Sequence, residues 1–441
     1  MLNLRYISRL IGAFFRRFKF LIFIGIGVGV IFFFVLVFLV PAFSANETTR
    51  IGLTGRYTVA NLPVSILNQV SGGLTKLDTD GSVVPNLASS WETTDAGKTW
   101  TFNLKDNLYW QDGSKVTSKT VNYQFSDVDI ERPDDKTIIF KLQNPYSAFP
   151  AVVSKPTFKS GLLGIGEWKV SKISLNGSIV EEISLTSKTE GKIVYKFYPT
   201  EDRTKVAFEL GQVDKIAELF SLSPFDTWPK VKITSGIDSG EFVAVFFNTQ
   251  DNILTEKNLR QALSYAIDKD ILGGVRTISP IPIDSWAYNP QVKPYDFDAT
   301  KAKQMVTEYK ETNKMTELTI NLSTSPVLLD QAEMIAENWK AVGVNVNVQV
   351  VSTVPTDYQA FLAIFDIPDD PDQYSIWHST QTSSNITRYQ NPRNDKLLED
   401  GRSEINLESR RSIYLDFQRF LVEDSPAAFL YYPTTYTVSR K

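Results

Sequence analysis

Apolar and polar positions alternate along Thr99–Leu104: Trp100, Phe102 and Leu104 are apolar, and Thr99, Thr101 and Asn103 are polar. A period of two predicts a strand with one buried face. Turn signals surround it, at Thr79-Asp80-Gly81, Asp95-Ala96-Gly97 and Gln111-Asp112-Gly113, where Asp and Gly supply side-chain-to-backbone bonds or positive φ. A further strand over Lys136–Leu142 closes this β-rich section, and KTVNYQF before it reads as helix-like. After residue 245 the period lengthens. Leu259, Ala262, Leu263, Ala266 and Ile267 form one helical stripe, with Thr255 as its expected N-cap. Leu328, Ala332, Ile335, Trp339 and Val342 repeat the stripe; Gly343 then ends the helix, and Val344, Val346, Val348 and Val350 alternate as a strand. A last helix carries Ile413, Phe417, Phe420 and Leu421, and Ala427–Val438 reads as a strand. The mixture predicts α/β lobes.

The N-terminus has a different pattern. Phe20 to Val40 is an uncharged run of 21 residues, long enough at about 1.5 Å per residue to cross a bilayer core of about 30 Å. Arg5, Arg9, Arg16, Arg17 and Lys19 precede it with no acidic residue, which keeps that end cytoplasmic and sends the rest across. The expectation is a single-pass anchor over residues 20–43 behind a cytoplasmic segment 1–19. A cleaved signal peptide is the alternative, with small residues at Ala42 and Ser44. Residues 44–60 read as a short polar linker, and the domain begins near Gly52.

Composition narrows the chemistry. The chain has 441 residues, 42% hydrophobic and 22% charged, enough for two or three cores. A net charge of −4 lacks the basic footprint of nucleic-acid binding. Without cysteine there is no disulfide, thiolate or lipoprotein attachment. The one histidine, His378, has no HExxH or GxSxG context, so no metal site, catalytic triad or cofactor is expected, and the chain does not read as an enzyme. His378 reads as a polar residue near a loop. GLLGIGEWKV lacks the Lys-Ser/Thr of a phosphate loop and reads as a tight turn before a strand. Trp100 and Trp339 fall at core periods. Trp286 and Tyr288 lie in the proline-rich SPIPIDSWAYNP, where aromatics can face a ligand.

Three stretches carry a resemblance: VSGGLTKLDTDGSVVPNLASSWETTDAGKTWTFNLKDNLYWQDGSKVTSKTV, VFFNTQDNILTEKNLRQALSYAIDKDIL, and RYQNPRNDKLLEDGRSEINLESRRSIYLDFQRFLVEDSPAAFLYYP. In order and spacing they resemble the family 5 extracellular solute-binding proteins, the oligopeptide- and dipeptide-binding components of ABC importers. The resemblance implies a two-lobed periplasmic-binding-protein-like fold of class II type with a reduced extra subdomain. Lobe I would span residues 50–243 plus 430–441, with a β-rich subdomain at about 74–160, and lobe II residues 244–429. It also implies a peptide ligand, permease subunits as partners, and capture by hinge closure. Reuse of the fold leaves open nickel chelate, heme or oligosaccharide as the solute, or an extracellular sensor or scaffold.

The segment IFDIPDDPDQYSIW holds Asp366, Asp369, Asp370 and Asp372 around two prolines. It does not fit a calcium loop or a glycosidase pair. By resemblance, Asp366 at the end of an apolar strand pairs with a ligand's α-ammonium, and Asp369 is the alternative one turn on. Ile364 and Phe365 would present backbone to the peptide, as would Asn61 and Leu62 from lobe I. Asp370 and Asp372 read as solvated turn and cap residues.

Overall fold

In this computed structural model, residues 17–20, 24–25, 27–30, 33 and 48–441 are described. The anchor expected over residues 20–43 falls largely outside them. Among the described residues no helix is long and apolar enough to cross a membrane.

The chain builds two principal sheets and a smaller one. β1 (Thr48–Thr54) enters the first sheet and α1 (Val64–Val70) follows it. The chain then leaves for a hairpin, β2 (Thr75–Leu77) and β3 (Val83–Pro85), and a four-stranded antiparallel sheet. That sheet holds β4 (Ala88–Thr93), β5 (Thr99–Leu104), β6 (Val128–Glu131) and β7 (Thr137–Leu142), in the order β4-β5-β7-β6. Its apolar face carries the alternation read from sequence: Trp100, Phe102 and Leu104 of β5 are buried beside Phe140 and Phe149, the last on the short α2 (Phe149–Val152). KTVNYQF forms no helix. Val121, Tyr123 and Phe125 turn inward against Phe140 and Phe149 while Asn122 and Gln124 face water, a period of two.

The chain returns with β8 (Lys169–Asn176), β9 (Ile179–Ser187), β10 (Gly191–Tyr198), α3 (Glu201–Glu209), β11 (Lys215–Leu219) and β12 (Val231–Ile237). GLLGIGEW is the tight corner before β8: a Cβ on Gly164 would sit 2.1 Å from the Val70 carbonyl oxygen, so only glycine fits. The second sheet opens with β13 (Glu241–Phe247), then α4 (Lys257–Ala266), β14 (Val275–Arg276), α5 (Ala299–Thr312), β15 (Thr319–Thr324), α6 (Leu329–Ala341), β16 (Asn345–Val350) and β17 (Ala360–Asp366). It closes with α7 (Tyr374–Trp377), α8 (Pro392–Ser403), α9 (Leu407–Asp424) and β18 (Ala427–Tyr432). Its order is β14-β18-β13-β17-β15-β16, and β13 is buried on both faces, as a central strand covered on both sides must be.

α4 begins at Lys257 with Glu256 at its N-cap, not Thr255. Upstream of the helix, Asp251 holds the preceding turn, its Oδ1 accepting from the Ile253 and Leu254 amides at 2.9 and 3.0 Å. The stretch Ala427–Val438 is two strands rather than one: Pro433 separates β18 from β19 (Thr434–Arg440), and β19 joins the first sheet, whose order is β12-β19-β11-β1-β10-β9-β8. The chain thus crosses between sheets twice, at Asp238–Gly240 and at Pro433. The crossings are bonded to each other, the Asp238 amide donating to the Pro433 carbonyl at 3.0 Å. We refer to the parts built on the first and second sheets as the first and second lobes.

Candidate ligand-binding site

β17 pairs with β13 along its whole length, from Glu241 opposite Asp366 to Phe247 opposite Ala360. On its other side β15 reaches only Ala360–Leu362. The backbone from Ala363 to Asp366 therefore has one open edge. Alternation assigns the groups that face it. Leu362 O accepts from Thr324 Oγ1 at 3.3 Å on the β15 side, whereas Ile367 N donates to Gly240 O at 2.7 Å on the β13 side. The main-chain groups of Ile364 and Asp366 thus face the open edge.

The side chains on this face form a row, Ile364 opposite Val243 and Val243 opposite Tyr431. The row floors a cavity of about 200 Å³, closed by Leu272, Val327 and Gln331 and, from the first lobe, by Phe220 and Tyr436. Gln331 Oε1 is buried there without a hydrogen-bond partner. Asp366 is exposed at the end of the same face, with Glu241 as its ladder neighbour. Burial, then the charges of Asp238 and Asp366, push the Glu241 carboxyl up to about 7. Burial and Asp238 likewise raise Glu218, at the end of β11. None of Glu218, Asp238, Glu241 and Asp366 belongs to an ion pair among the described residues. The arrangement is an electronegative rim next to a pocket of mixed polar and apolar lining, with strand backbone between them.

The rest of the aspartate segment departs from the expectation. Asp370 and Asp372 are not solvated. Arg410 of α9 grips Asp370 with two nitrogens, Nη1 reaching Oδ2 at 2.9 Å, and the two side chains are 6% and 12% exposed. Burial would lower the Arg410 pKa, but the facing carboxylate wins and raises it. Asp372 accepts from Arg402 Nε at 3.0 Å and caps α7 through the Tyr374 amide at 3.1 Å. Both arginines come from helices later in the chain, which is why local turn chemistry did not reveal the pairs. Asp369 stays exposed and lines a second cavity of about 210 Å³.

The other expected residues divide. Phe365 turns its ring into the core against Phe242 and Phe246, both at 5.6 Å, so only its backbone belongs to the β17 end. Leu62 is buried in the first-lobe core and Asn61 is exposed, its Oδ1 accepting from Thr58 Oγ1 at 2.8 Å. Trp286 packs edge-on to Tyr414 under Arg410, and its amide donates to Asp80 O at 3.0 Å across the lobes. It lines a side cavity with Trp91 and Ile405, apart from the Ile364 pocket. Tyr288 is half-buried against the second-lobe core. His378 is buried at the end of α7, next to the loop that follows, stacked on Tyr374 at 4.1 Å with Nδ1 2.8 Å from Thr380 Oγ1. Sequence reasoning missed Glu241, Tyr431, Gln331 and Phe220. Only the Asp-Ser-Gly turn before Glu241 marked a break there.

A model described as bacterial extracellular solute-binding proteins, family 5, middle region, matches residues 82–128 and 187–385, more than half of the chain. The chain belongs to this family. Family members are extracytoplasmic substrate-binding proteins of transport systems. The break in the match, between residues 128 and 187, falls where the small sheet ends and β8 and β9 begin. Among relatives, the oligopeptide-binding protein AppA of Bacillus subtilis is 24% identical over 469 aligned positions, covering 86% of this chain and 84% of its own. Among solved structures, AppA of B. subtilis with a nonapeptide has a TM-score of 0.67 at 20% identity, covering 90% of this chain and 95% of its own. NikZ of Campylobacter jejuni with Ni(L-His) has a TM-score of 0.71 at 22% identity, covering 89% and 94%. The structural matches establish the mixed α/β binding-protein fold.

Proposed function

We propose that the protein captures oligopeptides outside the cell for an ABC importer, held at the membrane by its N-terminal apolar segment, and hands them to permease subunits. The open edge of β17 carries this reading. An extended peptide can add there as a strand, its main chain bonding to Ile364 and Asp366 with little demand on side chains. Its ammonium then meets Asp366, or Asp369 in the alternative register; an ammonium offers only donors and a carboxylate only acceptors. Asn61 and Leu62 approach from the first lobe through their backbone, and Trp286 and Tyr288 support the wall of the second. Closure follows if the ligand favours the shut arrangement of the lobes. Relatives named for peptides support the solute class. Mass spectrometry of what stays bound after incubation with a peptide mixture tests it. Peptides with free amino termini are expected, with N-acetylated versions excluded; retention of a nickel-histidine chelate instead would overturn the peptide assignment.

A further inference from the structure

The two ends of the first sheet carry opposite charge. At the end nearest the crossings, Glu218 of β11 and Asp238 after β12 belong to the electronegative rim. At the other end the ladder brings lysines together. Thr48 opens β1 opposite Lys192, Lys192 faces Thr186 of β9, and Thr186 faces Lys169 of β8; Lys188 lies in the turn between β9 and β10. On the other side of β1, Lys232 of β12 faces Ser439 of β19, and the Lys441 amide donates to the Lys230 carbonyl at 3.2 Å. Five of these lysines are exposed and Lys192 is half-buried, and none belongs to an ion pair among the described residues. Glu167, Glu190, Glu209 and Asp226 share this end, and Arg50 and Asp214 cancel in a 2.7 Å pair, so cations prevail there although the chain as a whole carries a net charge of −4. β8 and β12 are the edges of the sheet, where lysine also discourages pairing with other chains. Lys188, Lys192 and Lys441 belong to interior strands or their turns, and edge protection does not account for them.

We propose that this cationic end of the first lobe rests on anionic lipid headgroups, holding the crossings and the β17 exit on the side away from the bilayer while solute is captured. The inference rests on the membrane-held reading of the N-terminal segment given above and adds the surface that meets the lipid. Seven residues, 41–47, separate the apolar run from Thr48. Even fully extended, at about 3.5 Å per residue, they reach no more than about 30 Å. β1 starts at the cationic end and runs away from it, so the tether enters the lobe on that side. Each lysine near an anionic surface adds to the attraction, which salt screens over about 10 Å at 0.1 M and about 3 Å at 1 M.

Pulse acetylation of the full-length chain in lipid nanodiscs, read lysine by lysine by mass spectrometry, tests the contact. One set of discs is phosphatidylcholine alone and the other contains phosphatidylglycerol as well. In the anionic discs at low salt, Lys188, Lys230, Lys232 and Lys441 are expected to react about fivefold more slowly. Lys98 on the small sheet and Lys314 in the second lobe, both exposed, react equally in the two sets. The difference disappears at 1 M salt. It also disappears at Lys169 and Lys441 in the triple variant Lys188→Glu, Lys230→Glu, Lys232→Glu, whose three positions are exposed and free of ion pairs. Equal labelling in the two sets hands this end to a protein partner and sinks the inference, as does slowing at Lys98 or Lys314 instead, or slowing that survives the triple variant; in each case the membrane-held reading stands. If the chain elutes apart from discs of both compositions, both readings fall together.

Discussion

Asp366 and Asp369 lie within six residues of Asp370 and Asp372, yet the two pairs live in different physical worlds. The later pair is gripped by arginines from α8 and α9 and fixes where those helices sit. The earlier pair is exposed, without an ion-pair partner among the described residues, one residue at each side of the β17 exit. A carboxylate met by a buried guanidinium is used up in holding the fold. One left open beside unpaired strand backbone is available to a solute. Residue type is the same for all four, so the difference lies in what the rest of the chain brings to them.

The comparison breaks most readily at Arg410. Asp370→Ala leaves that guanidinium buried with no counter-charge, and a loss of about 3–5 kcal/mol is expected in denaturant unfolding; a loss below about 1 kcal/mol would erase the distinction. Asp366→Asn should leave unfolding nearly unchanged and remove one charge-assisted contact to the ligand ammonium. Peptide affinity, read by calorimetry, is then expected to fall about 10- to 100-fold, from about 1.5–3 kcal/mol. Asp372→Ala should cost less than its neighbour, about 1–3 kcal/mol, since Arg402 is 34% exposed and keeps the rings of Tyr146 and Tyr374 against it at 5.0 and 4.2 Å.

The smallest effect is a matter of protons. With the Glu241 carboxyl raised to about 7, its contribution to stability is fully present below its unfolded value and is lost as pH rises through about 7. An ammonium at Asp366 favours the ionised form. Binding near neutrality should therefore release up to about one proton, seen as a dependence of calorimetric enthalpy on buffer ionisation, and tighten as pH rises through 7. Glu241→Gln should abolish the release; its persistence in that variant would move the proton elsewhere.

Much of this was legible in the residues. The alternation of β5, the stripes of α4 and α6, and the apolar run ending at Asp366 each follow from local period, and local period survives into the fold because each element buries one face or both. KTVNYQF failed because its three inward residues are two apart, a spacing a seven-residue window reads either way. The arginine partners of Asp370 and Asp372 are 40 and 30 positions away, beyond any window. The open edge depends on β15 stopping its pairing at Leu362, and the Glu241–Asp366 pair on ladder register. Both are properties of two strands at once, and neither strand encodes them alone.

The path of β19 bears on the order in which the molecule can be made. This strand lies inside the first sheet, between β12 and β11, yet it is among the last residues of the sequence. A chain emerging from its N-terminus builds β1 to β12 early and then has to synthesise the entire second lobe before the gap is filled. Such long-range pairing is slow to form. Until Thr434–Arg440 arrives, β11 and β12 have no common neighbour and the first lobe stays unfinished. The final strand thus acts as a completion signal: a chain cut short near its end would present two unpaired strand edges in the half it made first.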